Sequence, residues 1–141
     1  MLSRNNEFPN SLKKEEHIIY WLKNAESDLE RAERCFRDQD YVFALFCLHL
    51  ALEKTIKSVW IKYSSGNFPP WIHNLVKLIT ETPVQLENGQ LIFLNDLNRF
   101  QLEGRYPDYT GRIYEECTKE YTMHLLNEGK RIQKWLVEIM Q

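Results

Sequence analysis

The sequence predicts an all-α fold, a single up-and-down bundle of four main helices plus one short helix. Apolar residues recur at helical spacings of three and four along most of the chain, and alternating strand patterns are absent apart from the ambiguous run 91–94. Only 5 Gly and 5 Pro among 141 residues leave long stretches without breaks. A chain of this length forms one domain and buries about two-thirds of its unfolded surface without disulfides or metals.

The first two helices are long and differ in character. Residues 1–12 are expected to form a flexible N-terminal lead-in, and the bundle is assigned to residues 13–141. The first helix carries one apolar stripe, with charged residues on its opposite face. The stripe consists of Ile18, Leu22, Ala25, Leu29, Ala32 and Phe36. After a break, Asp40 is placed to cap a second helix over Tyr41–Tyr63. Because the first half of that helix is apolar nearly all round, it is expected to be central or to lie in a subunit interface.

Three further helices are predicted after a loop at residues 64–70. A short helix is expected over Trp71–Thr80, a fourth over Gln90–Glu103 and the last over Ile113–Met140. Gly104 and Pro107 are placed to end the fourth helix.

Composition excludes several classes of protein. The net charge of −2 and a pI near 6.1 argue against a broad nucleic-acid footprint, although not against a small basic patch. The cysteines Cys35, Cys47 and Cys117 are odd in number and lack CxxC spacing, which is typical of reduced thiols packed in the core of a cytosolic protein. Neither a signal peptide nor a membrane span is predicted, so a soluble, cytoplasmic protein is expected.

Several kinds of chemistry have no motif in the sequence. There is no Gly-rich phosphate loop, GxSxG, HExxH or Cys/His metal spacing. The four histidines lie in four different segments. Glu120 precedes His124 by four residues without a second such pair, so a di-metal bundle site is not expected. The sequence therefore predicts neither a metal nor a cofactor.

The group Glu53, Lys54 and Lys57 follows the apolar half of the second helix. Glu53 and Lys57 are an i,i+4 pair, which by itself contributes only a few tenths of a kcal/mol. The group is interpreted either as a solvated helix end or as a basic ledge beside a cleft that receives a phosphate or nucleotide.

The segment Arg105-Tyr106-Pro107-Asp108 lies in a predicted loop, where functional residues concentrate. Arg105 is suited to bidentate pairing with a phosphate or carboxylate. Alternatively it pairs with Asp108 or caps carbonyl groups in a turn. His73, at the start of the predicted short helix, is either an acid or base near an Arg or a structural hydrogen-bonding residue.

Four segments in order carry a family resemblance. They are Trp21-Leu-x-x-Ala25-x-x-Asp28-Leu29-x-x-Ala32, Tyr41-x-x-Ala44-Leu-Phe46-x-x-His49-x-Ala51-x-Glu53-Lys54-x-x-Lys57, His73-Asn74-Leu75-x-x-Leu78 and Arg105-Tyr106-Pro107-Asp108. Together they resemble the HEPN domain (higher eukaryotes and prokaryotes nucleotide-binding), from about Lys13 to Met140.

The resemblance implies a helical bundle that dimerises. Stand-alone prokaryotic members are often encoded beside a minimal nucleotidyltransferase, as toxin–antitoxin or defence-type pairs. Many members are metal-independent ribonucleases, in which an Arg and a His near the start of the last long helix meet across the dimer and cleave RNA through its own 2′-hydroxyl.

The sequence departs from the ribonuclease pattern. Arg105 matches the region of the expected Arg, but the window that should hold the His contains Thr110, Gly111 and Arg112. The chain is therefore identified with the Arg-Tyr-Pro-Asp branch, and no catalytic residue is assigned. The Tyr that a partner nucleotidyltransferase modifies in some toxins belongs to this motif, but that role is not transferred to Tyr106 or Tyr109.

The leading hypothesis is a non-catalytic HEPN-like helical protein. It forms a homodimer, works with a minimal nucleotidyltransferase partner and contributes to nucleotide or RNA binding. The candidate ligand-binding residues are Arg105, Asp108, His73, Lys54, Lys57, Glu53 and Tyr106. The alternative is a metal-independent ribonuclease toxin that uses Arg105 and a non-standard base such as His73. A third hypothesis is a purely structural dimer whose interface is the apolar second helix.

Overall fold

The structure, a computed structural model, describes residues 13–106 and 111–141, and within these ranges it contains helices and loops but no strand. The helices are α1 (Lys14–Arg37), α2 (Tyr41–Tyr63), α3 (Leu75–Ile79), α4 (Asn88–Leu97), α5 (Arg99–Glu103), α6 (Arg112–Glu116) and α7 (Lys119–Ile139). The predicted all-α fold is confirmed. The expected lead-in at residues 1–12 and the helix-ending role of Pro107 lie outside the described residues.

Helix α2 is the central element of the bundle. Its predicted bounds are confirmed to the residue, and α1 forms its most extensive packing partner. Helix α7 packs against both α1 and α2, while α3, α5 and α6 also contact α2. Leu45, Leu48, Leu52 and Ile56 of α2 are fully buried as a result. The all-round apolar character of the helix is therefore explained within one chain.

The pairing of α1 with α2 is fixed at both ends. At one end a three-residue turn joins them, in which Gln39 adopts a left-handed φ of 65° and Asp40 is the N-cap residue without a side-chain capping bond. At the other end, the Lys14 Nζ donates to backbone carbonyl oxygens at and beyond the end of α2. These acceptors are Ile61 at 2.6 Å, Ser64 at 3.0 Å and Gly66 at 3.0 Å. These hydrogen bonds therefore fix the position at which the segment after α2 begins.

The buried face of α1 differs from the predicted stripe. Ala25 and Ala32 are fully buried, but the other stripe residues are only partly buried. Two polar residues, His17 and Asp28, are buried instead. Asp28 is tolerated there because cations on α1 and α2 contact its carboxylate, as described below.

Three predicted helices differ from the observed ones, and side-chain caps explain two of the differences; the fourth starts at Asn88 instead of Gln90 and is divided. The short helix begins at Leu75 rather than Trp71, because Asn74 Oδ1 accepts from the Lys77 amide at 3.0 Å and defines the helix start. The predicted last helix is interrupted before Lys119, where Thr118 Oγ1 accepts from the Tyr121 amide at 3.1 Å. Trp71 and His73 therefore lie in a non-helical segment before α3.

The predicted fourth helix is divided into α4 and α5 at Asn98. This residue is both the C-cap of α4 and the N-cap of α5. Its Oδ1 accepts from the Leu75 amide at 2.8 Å, so the break is bonded to the start of α3. The apolar period continues through the break, which is why the sequence predicted one helix.

Two glycines allow close approach to α2. A Cβ on Gly129 of α7 would lie 2.7 Å from Leu48 Cδ1. A Cβ on Gly104 would lie 2.7 Å from Phe46 Cβ. Gly104 does end α5, as predicted, but its φ of −67° is right-handed. Close packing, and not a left-handed turn, therefore accounts for glycine at this position.

The three cysteines are free; Cys47 and Cys117 are buried and Cys35 is partly buried. Burial raises the pKa of Cys47 to about 12 and that of Cys117 to about 11, so both remain neutral packing residues.

None of the helices in the described ranges combines the length and apolar character that crossing a bilayer requires.

Candidate ligand-binding site

A buried carboxylate, Glu53, gathers three nitrogen-bearing side chains around it. Lys57 Nζ lies 2.9 Å from Glu53 Oε2, and His73 Nδ1 lies 3.0 Å from the same oxygen. His49 Nδ1 lies 3.8 Å from Oε1. Because a carboxylate only accepts hydrogen bonds, the hydrogen of His73 is assigned to Nδ1, which leaves Nε2 for another partner. We call these four residues the Glu53 cluster.

Local helical geometry and one long loop build this cluster. His49, Glu53 and Lys57 follow one another at i,i+4 spacing on α2 and so share one helix face. His73 belongs to the segment 64–74, which folds back over α1. That segment is positioned by the contact between the Phe68 and His17 rings, whose centroids are 5.5 Å apart.

His49 forms the buried end of the cluster. Burial lowers its pKa from 6.5 to about 4, although the Glu53 carboxylate and Asn98 favour the protonated form. The imidazole is therefore neutral at pH 7, and Lys57 carries the cationic charge that balances Glu53.

A cavity of about 320 Å³ opens beside the cluster. Its lining residues are Trp21, Lys57, Phe68, Pro69, Pro70, Trp71 and His73. The Lys57 Nζ lies over the Trp21 ring, 5.4 Å from its centroid. Trp71 is 94% exposed at the mouth. We call this cavity the aromatic pocket. Its volume and its mostly apolar lining, with few polar groups, match those of small-ligand sites.

The predicted residue Lys54 belongs to a different ion group. Its Nζ lies 2.6 Å from Asp28 Oδ2, while Arg31 donates to Asp28 Oδ1 at 2.6 Å. Asp28 is buried between α1 and α2. Lys54 therefore stabilises the pairing of these helices and does not line the aromatic pocket.

Arg105 is placed away from the Glu53 cluster. Its guanidinium lies 5.2 Å from the centroid of the Phe46 ring. Phe46 precedes Glu53 by about two turns on the same side of α2, about 10 Å along the helix axis. Tyr106 is exposed beside Arg105, and the predicted ligand-binding residue Asp108 lies outside the described residues. The pairing of Arg105 with Asp108 stays a prediction.

The structure thus brings together Glu53, Lys57 and His73 of the predicted set. The interpretation of Glu53 and Lys57 as a solvated helix end is wrong, because both are buried. The predicted ledge is also less basic than expected, since Glu53 balances the charge of Lys57.

The sequence predictions missed Trp21, Phe68 and Trp71. The available signal was the run Phe68-Pro69-Pro70-Trp71, in which four rings follow one another in a predicted loop. Its proximity to Trp21 depends on how the segment 64–74 folds back over α1, which local pattern does not reveal.

For metals, the two described ranges contain no group of three or more His, Cys, Asp or Glu side chains arranged to hold an ion.

Comparison with known proteins gives a consistent result. The model of the HEPN domain family matches residues 18–140. The fold is similar to that of TT1696 from Thermus thermophilus, with a TM-score of 0.75 and 22% identity over 86% of this chain and 96% of that one. It is also similar to ST0689, an archaeal HEPN homologue, with a TM-score of 0.69 and 25% identity over 88% of this chain and 98% of that one. No curated protein matches the chain significantly.

Proposed function

The chain belongs to the HEPN domain family, and on that premise we propose that it is a non-catalytic member that binds a nucleotide, either free or within RNA. The binding site is the aromatic pocket together with the Glu53 cluster. The protein acts as a homodimer and as the partner of a minimal nucleotidyltransferase, in a toxin–antitoxin or defence-type pair.

The observation that carries this proposal is the position of Lys57 and His73 on the wall of the aromatic pocket. Aromatic rings stack on bases irrespective of sequence, and each stacked base contributes about 1–3 kcal/mol. A lysine and a histidine at the same wall supply the few polar contacts that orient a ligand in an apolar site. The pocket therefore combines the two features that a nucleotide site needs.

The non-catalytic hypothesis rests on the residues Thr110, Gly111 and Arg112, which stand where the ribonuclease pattern has a His. Within one protomer, Arg105 and His73 also do not form a catalytic pair. His73 Nδ1 is engaged by Glu53, and Arg105 lies over Phe46, about two turns away along α2. General acid–base catalysis requires groups within hydrogen-bond reach of the same reacting atoms. A ribonuclease built from Arg105 and His73 would need one residue from each protomer of a dimer.

Exposed apolar side chains near Arg105 support the homodimer. Phe43 stacks on Phe46 with ring centroids 5.4 Å apart and is itself 38% exposed. Leu102 and Tyr106 are 60% and 69% exposed. Apolar side chains grouped in this way are typical of surfaces that bind another protein.

Thermal unfolding with ATP, AMP or a short single-stranded RNA tests the binding proposal. A ligand that binds only the folded state at about 100 times its Kd should stabilise it by about 2.7 kcal/mol. The same RNA should remain intact after incubation with concentrated protein. If none of these ligands stabilises the protein, nucleotide binding is refuted. RNA cleavage that Arg105→Ala and His73→Ala both abolish would establish the ribonuclease alternative instead.

Two association measurements test the remaining parts. Sedimentation should give a dimer, a neighbouring gene should encode a minimal nucleotidyltransferase, and co-expression of the two proteins should yield a stable complex. A monomer at high protein concentration would refute the homodimer, and separate elution of the two proteins would refute the partnership.

A further inference from the structure

We infer that the aromatic pocket recognises the uncharged ring of a nucleobase and leaves the phosphate groups outside. The inference rests on the proposed function and specifies its ligand chemistry. Nucleotide recognition could instead be led by the phosphates, and three properties of the pocket argue against that mode.

The first property is charge. The ammonium of Lys57 is balanced by Glu53, and the hydrogen bond from His73 Nδ1 to the same carboxylate needs only a neutral imidazole. Among the residues that the structure describes, no arginine lines the pocket. A phosphate brought inside would lose its water without gaining an uncompensated cation, which is strongly unfavourable. An uncharged ring carries no such penalty.

The second property is shape. Trp71 stands at the mouth, Trp21 lies beneath the Lys57 ammonium, and the remaining walls are the rings of Phe68, Pro69 and Pro70. A volume of about 320 Å³ is at the lower end of the range for small-molecule sites. The pocket is therefore matched to one flat group and not to a whole nucleoside triphosphate.

The third property is hydrogen bonding. Lys57 has three N–H donors, one of which reaches Glu53, and the His73 tautomer with its hydrogen on Nδ1 leaves Nε2 as an acceptor. Both side chains line the pocket, so a ring bound there can meet hydrogen-bonding groups as well as aromatic surfaces. A base edge that presents both an acceptor and an amino donor, as adenine does at N7 and N6, can use groups of these two kinds.

Titration of the protein with adenosine, AMP and ATP, followed by calorimetry and tryptophan fluorescence, tests the inference. We expect the three Kd values to agree within about threefold, with little change between about 50 and about 200 mM salt, because phosphate contacts would produce a salt dependence. Trp71→Ala should weaken adenosine binding by about tenfold. Trp71 is almost fully exposed, so this substitution leaves the core intact.

Tyr114→Ala is the matched control, since it removes an exposed aromatic ring on α6 that does not line the pocket. It should bind adenosine like the unaltered protein. A single-stranded oligoadenylate distinguishes the sources of the base: tighter binding than AMP indicates RNA, and equal binding indicates a free nucleotide. Both outcomes support recognition of the ring.

Other outcomes would overturn the inference. ATP binding about tenfold tighter than adenosine, with affinity that falls steeply with salt, would show phosphate-led recognition and leave the proposed nucleotide binding intact. If Trp71→Ala binds adenosine as tightly as the unaltered protein, adenosine binds outside the aromatic pocket. No binding by adenosine, nucleotides or oligoadenylate would refute both the inference and the proposed function.

Discussion

At the scale of single residues, Glu53 determines the arrangement of the candidate site. Its carboxylate is the common partner of Lys57 and His73, and it lies in a nearly water-free position on α2. Burying such a group costs desolvation energy that its ion pair only partly offsets. Replacement of such a pair by apolar side chains of similar volume is often neutral or stabilising, so the cluster is weak evidence for a contribution to stability.

Glu53→Gln should destabilise the folded protein by about 3 kcal/mol, because it leaves the buried Lys57 ammonium without its counter-ion. Urea unfolding monitored by circular dichroism measures this change. The control is Glu103→Gln, which removes a partly exposed partner of Arg99 at 3.1 Å and should cost less than about 1 kcal/mol. Equal effects of the two substitutions would contradict the assignment of Glu53 as a buried ion-pair residue.

His49 should make the protein sensitive to mild acid. Its pKa is about 4 in the folded state and 6.5 as the ordinary value, so the unfolded chain binds the proton first as pH falls. The stability that this produces is fully present above pH 6.5 and is lost as pH falls toward 4, by up to about 3 kcal/mol. The pH profile of urea midpoints should therefore be flatter for His49→Leu. Parallel profiles for the two proteins would rule out this role.

At the scale of elements, the apolar period predicted where helices lie but not where they stop. The bounds of α2 were predicted to the residue because polar and Gly- or Pro-containing breaks flank it. Asn98 and Thr118 interrupt helices whose apolar pattern continues, since their side chains bond to nearby backbone amides. The Thr118 cap is local, but the bond from the Leu75 amide to Asn98 depends on three-dimensional proximity, which a periodic pattern does not contain.

The candidate site, too, was predictable from the sequence only in part. Glu53 and Lys57 were predictable as a pair because their spacing places them on one helix face. Their burial was not, because it requires α1 and the segment 64–74 to cover them. Trp21 and Trp71 come together only through that segment's path, so the aromatic wall of the pocket could not be read from local sequence.

The crossing of α7 over α2 provides a prediction at this scale. Gly129→Ala should destabilise the protein by about 1 kcal/mol or more, because the new methyl group would overlap the fully buried Leu48 side chain. Gly89→Ala is the control, since nothing lies within 4 Å of a Cβ at that position in α4. It should stabilise by about 0.5 kcal/mol or more through helix propensity. Chemical denaturation of both variants measures the contrast, and destabilisation of Gly89→Ala to the same extent would refute the packing explanation.

At the scale of the whole molecule, the net charge is consistent with the proposed recognition of bases. A chain with a net charge of −2 cannot rely on broad phosphate neutralisation to bind RNA. The cationic side chains beside α2 already contact other groups. Lys54 contacts Asp28, Lys57 contacts Glu53, and Arg105 lies over the Phe46 ring. In their place, the aromatic pocket presents the rings of the segment 64–74 and of Trp21 on α1, as the proposed contact with bases requires.

The bonds from Lys14 to the end of α2 have a consequence for how the chain tolerates change. All three acceptors are backbone carbonyl oxygens, so they persist whatever side chains stand at residues 61, 64 and 66. The donor has no such freedom, because only a long cationic side chain at position 14 reaches all three. A saturation mutagenesis map would therefore show a restrictive position 14 facing permissive positions 64 and 66, while the buried Ile61 would be restricted by core packing alone.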